Sequence, residues 1–142
     1  MKVVDASVAA KWFLPEPGSD AALKLLSAPD RLLAPELIRL EVVAAIVRAF
    51  RNDRMTESVA RDCCQAWDHL LNERMIQLIN NNELHELAVK IALEIRHPFQ
   101  DCLYLAAGKV MKAQVVTADD NLVKRGVKAV RHIQLLGTDD AN

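Results

Sequence analysis

The chain opens Met1-Lys2-Val3-Val4-Asp5-Ala6-Ser7-Val8-Ala9-Ala10-Lys11-Trp12-Phe13, and the reading of this stretch decides the fold. Lys2 to Asp5 reads as a short buried strand. Ala6 to Phe13 reads as a helix, stopped by Pro15 and Pro17, which cannot continue it. A strand therefore hands over to a helix at an acidic residue, Asp5.

Outward from this stretch the alternation continues. Ser19 is expected to N-cap a helix to about Ser27. Arg31 to Ala34 reads as a second strand, and Pro35 as the start of a helix from Glu36 to about Phe50. Thr56 opens a helix to about Leu71, Met75 to Ile79 is a third strand, and Glu83 to Glu94 is helical. Pro98 precedes a helix from Gln100 to Met111. Gln114 to Val116 is a fourth strand, Asp119 caps a helix ending at Gly126, and Ala129 to His132 is an edge-strand candidate. Strands alternating with helices imply an α/β fold: a short parallel sheet covered on both faces, a three-layer α/β/α sandwich. Ligands of such sheets bind outside the carboxyl ends of the strands.

A length of 142 residues suits one domain, 1–142. Eighteen basic against nineteen acidic residues give a net charge of -1, unlike the strongly basic balance of many nucleic-acid-binding domains. An acidic metal site would explain part of that, because it subtracts charge that its cations restore. Cys63, Cys64 and Cys102 form no CxxC pair, so neither a disulfide framework nor a zinc site is expected, and reduced, buried thiols are. No apolar run approaches a membrane span and no leader segment is read at the N-terminus, so the expectation is a soluble, cytoplasmic protein. GxxxxGK[ST] and GxGxxG are absent, which disfavours a nucleotide-binding module.

Four segments each set a carboxylate among apolar residues: Val3-Val4-Asp5, Leu40-Glu41-Val42-Val43, Phe99-Gln100-Asp101-Cys102-Leu103 and Val115-Val116-Thr117-Ala118-Asp119. Each acid alone has an ordinary reading. Asp119 and Asp101 suit helix starts, Asp5 a turn, and Glu41 a pair with Arg39 or Arg48. Together they point to one site at the sheet edge. Clustered carboxylates repel and raise one another's pKa unless a cation is present. Hard divalent cations take oxygen ligands and support in-line phosphoryl displacement. A phosphoaspartate enzyme needs a second aspartate two residues after the nucleophile, where Ser7 stands.

At these residues the chain resembles the PIN-domain family, specifically the VapC-type toxins of toxin–antitoxin pairs. The resemblance rests on residues 4–13, on Pro35-Glu36-Leu37 with Glu41, on residues 97–106, and on Val116-Thr117-Ala118-Asp119-Asp120-Asn121-Leu122, four motifs in order across nearly the whole chain. It implies a PIN fold and a Mg²⁺- or Mn²⁺-dependent ribonuclease acting on tRNA or rRNA. It also implies a homodimer held in check by a cognate antitoxin. Asp5, Glu41, Asp101 and Asp119 would then be the catalytic, metal-binding carboxylates, with Ser7, Thr117 and Asp120 in support. A non-catalytic PIN-like domain and a nuclease acting on DNA are the alternatives. Lys11 and the basic stretch Lys124, Arg125, Lys128 and Arg131 are candidate phosphate contacts or solvated surface. His69, His85, His97 and His132 are assigned no chemistry.

Overall fold

The computed structural model describes residues 1–138. In chain order it contains β1 (Lys2–Val4), α1 (Ala6–Ala9) continued by a 3₁₀ turn (Ala10–Trp12), α2 (Ser19–Ser27), β2 (Leu32–Pro35), α3 (Ile38–Arg51), α4 (Glu57–Asn72), β3 (Ile76–Ile79), α5 (Asn81–Ile95), α6 (Phe99–Met111), β4 (Gln114–Thr117), α7 (Asp120–Gly126) and β5 (Ile133–Leu135). All strand pairs are parallel, in the order β3-β2-β1-β4-β5. Val3 and Val4 point to opposite faces of β1, and both are fully buried. All four residues of β2 are buried as well. Helices therefore cover the sheet on both sides, as a parallel sheet requires.

The strand order fixes where a site can form. From β1 the chain winds outward to β2 and β3, then returns across β1 to place β4 and β5 on its other side. The crevice at such a reversal opens at the carboxyl ends of the two central strands. Here those ends are Val4, followed by Asp5, and Thr117, followed two residues on by Asp119. The Asp5 amide donates to the Val116 carbonyl at 3.3 Å, which closes the register at the crevice. Helix α6 lies against β1, β2 and β4 and is buried continuously from Cys102 to Gly108. Gly108 lets it approach closely, because a Cβ there would collide with the Val115 side chain.

Four local expectations are corrected. Pro35 ends β2 rather than opening a helix, and α3 begins at Ile38. Gly18, at φ +91°, takes the N-cap position of α2. Ser19 instead spends its hydroxyl on the preceding loop, accepting from the Glu16 amide at 3.0 Å and donating to the Leu14 carbonyl at 2.8 Å. The edge strand is Ile133–Leu135, not residues 129–132, since Val130 turns inward as a core residue. Cys102 is buried as expected, whereas Cys63 and Cys64 are half-buried.

Candidate active site

A cleft of about 450 Å³ opens at the switch point, and Asp5, Glu41, Asp101 and Asp119 all line it. Each arrives from a different element. Asp5 follows β1 and caps α1, accepting from the Val8 amide at 3.1 Å. Glu41 lies in the first turn of α3 and Asp101 in the first turn of α6, where helix dipoles favour anions. Asp119 caps α7, one carboxylate oxygen accepting from the amides of Asn121 and Leu122 at 2.9 and 3.4 Å.

Asp5 is the most enclosed of the four, with 6% of its surface exposed. Ser7 Oγ donates to one oxygen at 2.5 Å and the Thr117 hydroxyl donates to the other. Those hydroxyls are themselves fixed, Ser7 Oγ accepting from the Ala118 amide and Thr117 Oγ1 from the Asp119 amide, each at 3.0 Å. The first and fourth motifs are thereby tied into one unit. Burial pushes the Asp5 carboxyl up to about 6; the bonds from Ser7, Thr117 and Val8 oppose this, and the charge of Asp101 adds to it. Glu41 is also raised, chiefly by burial and further by Asp101, against the bond from Tyr104.

Two residues that the sequence reading left without a role belong here. Tyr104 donates its hydroxyl to Glu41 Oε1 at 2.6 Å, and neither Arg39 nor Arg48 pairs with that acid. Burial, followed by the neighbouring Glu41, pushes the Tyr104 phenol far up, so it stays a donor. His97, expected to carry no chemistry, bonds Asp101 Oδ2 through Nε2 at 2.8 Å and is itself almost buried. The spacing of four between His97 and Asp101 was the available signal. Cys102, beside Asp101, is pushed up to about 11 by burial and by that aspartate, so it remains a thiol. Asp120 is exposed in the first turn of α7 and does not line the cleft.

The donor set is suited to a hard cation. The cleft's acids offer oxygen alone, and neither Asp5 nor Glu41 has a cationic partner among the described residues. No three of the described acidic, histidine or cysteine side chains converge closely enough to enclose one ion. That arrangement fits an ion which keeps most of its waters and takes one or two carboxylates directly, the habit of Mg²⁺.

A five-stranded parallel sheet with four acids converging at its switch point defines the class, and the chain belongs to the PIN domain family, whose model matches residues 2–128. Over 126 residues it is 27% identical to the VapC ribonuclease Mb0985 of Mycobacterium bovis and to ribonuclease VapC9 of Mycobacterium tuberculosis. Those matches cover 89% of this chain and 91% of each relative. A chain of a toxin–antitoxin complex from Klebsiella pneumoniae superposes with a TM-score of 0.62 over 94% of this chain and 96% of its own length. At 15% identity, that likeness concerns the fold.

Proposed function

We propose that this chain is a Mg²⁺- or Mn²⁺-dependent endoribonuclease, the toxin of a VapBC-type pair, cutting tRNA or rRNA. The observation that carries the reading is the convergence of four acids from four elements on one cleft, its most buried member without a cationic partner among the described residues. The names of the relatives at 27% identity support ribonuclease as the activity.

Asp5, Glu41, Asp101 and Asp119 would hold the cation, one or two of them directly and the others through its waters. Bound there, it would offset their mutual repulsion, polarise a phosphoryl oxygen and make a water more acidic. The chain's own part is to keep the acids in place. Ser7 and Thr117 fix both oxygens of Asp5, Tyr104 orients Glu41, and His97 holds one oxygen of Asp101. The hydroxyls of Ser7 and Thr117 both donate to Asp5, so neither is the nucleophile of this reading, which assigns that role to water. An antitoxin partner follows from the VapC assignment, and a basic side chain of that partner entering the acidic cleft would block it. Helix α3 exposes Leu40, Val47 and Phe50, which supports a second covered face and hence a homodimer.

The test is incubation of the full chain with labelled RNA and single-stranded DNA, each with Mn²⁺ and with chelator. Cleavage of RNA alone, only with Mn²⁺, leaving 5′-phosphate and 3′-hydroxyl ends, is expected. A 2′,3′-cyclic phosphate product would remove water as the nucleophile, and DNA cleavage at equal rate would remove RNA as the substrate. Absence of cleavage across total cellular RNA would favour a non-catalytic PIN-like domain.

A further inference from the structure

The cleft is not acidic throughout. Beyond the four carboxylates it continues along α3, whose Glu41, Ala45, Arg48 and Ala49 line it together with Asn52 at the helix's C-cap. The spacing of 4, 7, 8 and 11 from Glu41 puts these on one stripe of the helix. Lys11, Glu16 and Arg54 close the same end. Of its three cations, two are already held by one carboxylate. Glu16 accepts from Lys11 Nζ at 3.0 Å and from Arg54 at 3.3 Å, and Lys11 also donates to the Pro17 carbonyl at 2.9 Å. Arg48 differs. It is exposed, and its guanidinium has no hydrogen-bond or ion-pair partner among the described residues.

We propose that Arg48 binds a phosphate of the RNA strand other than the one being cut, and so sets the strand's path through the cleft. The proposal rests on the ribonuclease reading above. A polyanion entering a cleft with four acids meets repulsion, and Arg48, the one cation lining that cleft without a partner among the described residues, supplies an attraction. Arg48 lies seven residues from Glu41 on the same helix face, about 10 Å along the axis. At about 3.4 Å per nucleotide for a stacked strand, that span is at most about three nucleotides. The planar guanidinium suits bidentate contact with phosphate oxygens. The Lys11–Glu16–Arg54 cluster, two cations on one carboxylate, then forms a wall of net charge +1 beside the strand.

The test is binding, measured by fluorescence anisotropy with a labelled single-stranded RNA 12-mer at several salt concentrations. Every protein carries Asp101→Asn, which stops turnover and relieves repulsion. Arg48→Ala should weaken binding roughly five- to tenfold at low salt, for all sequences alike. The slope of log affinity against log salt should shrink by about 0.7, the value of one lost single-strand phosphate contact. Arg48→Lys should restore the slope but not the full affinity. Arg51→Ala, which removes an exposed cation from the same helix outside the cleft, should leave the slope unchanged. If the parent protein binds RNA and Arg48→Ala keeps its slope and affinity, or Arg51→Ala matches Arg48→Ala, the role of Arg48 is refuted while the ribonuclease reading stands. If the parent protein neither binds this RNA nor, with Asp101 intact, cleaves total cellular RNA, both fail together.

Discussion

Replacing Asp5 by asparagine in the cation-free protein should make the fold more stable at neutral pH and flatten its pH dependence. Asp5 is 6% exposed, and burial raises its carboxyl from 3.8 to about 6. Between those values the folded chain keeps a proton that the unfolded chain releases. Stability therefore falls as pH rises through that window, and the loss is complete above about pH 6. The displacement from 3.8 to about 6 corresponds to about 3 kcal/mol. Asparagine has nearly the same shape and caps a helix as well as aspartate. Its carbonyl oxygen can accept from Ser7 and Val8. Its amide faces Thr117 Oγ1, which must turn its proton toward Ser7 Oγ, 3.4 Å away. Rearranging the hydroxyl bonds around a neutral amide costs about 1 kcal/mol. The net gain at pH 8 is then about 2 kcal/mol, or roughly 4–8 °C in Tm for a chain near 150 residues. The assay is thermal unfolding of both proteins in chelator from pH 4.5 to pH 8. Parallel curves, or an Asp5→Asn protein less stable than wild type at pH 8, would refute the reasoning.

Glu41→Gln should also be more stable than wild type without cation, by less than Asp5→Asn because Glu41 is only half-buried, and excess Mn²⁺ should raise the Tm of wild type more than that of the mutant. His97→Ala removes the side chain that holds Asp101 Oδ2, so single-turnover cleavage should fall by roughly 10-fold or more, as when an outer-shell partner of a ligand is lost, with circular dichroism unchanged. Tyr104→Phe leaves the buried ring and deletes the donor to Glu41; the Glu41 carboxyl should titrate higher by NMR and the cleavage rate should drop.

The layers of the fold were legible because buried parallel strands read as continuous apolar runs and helix starts carry local signals: Thr56 and Asp119 cap the helices they precede. The edge was less legible. Among the described residues strand β5 pairs only with β4 and is half-buried along its length; Ile133, Leu135 and Leu136 are as apolar as Ala129-Val130 just before them, so residues 129–136 carry no local signal for where the strand begins. Ser19 misled because a hydroxyl before a helix usually caps it, whereas here the turn around Leu14 and Glu16 offered closer partners. Within the site, the four acids stood out because a carboxylate among apolar residues needs a reason. What holds them was hidden to different degrees. His97 lies four residues from Asp101, within reach of local reasoning, but Tyr104 meets Glu41 across 63 residues of chain, a contact that only the tertiary fold creates.

The most direct measurement of the central claim is single-turnover cleavage, in Mn²⁺, of an RNA that the wild-type protein cuts, by Asp5→Asn, Asp101→Asn and Asp119→Asn. Electrostatic and metal contributions dominate in such sites, so each variant should be slower by at least ~100-fold while its circular dichroism stays that of the folded protein. Near wild-type rates in two of the three would contradict the assignment of these acids to one catalytic site.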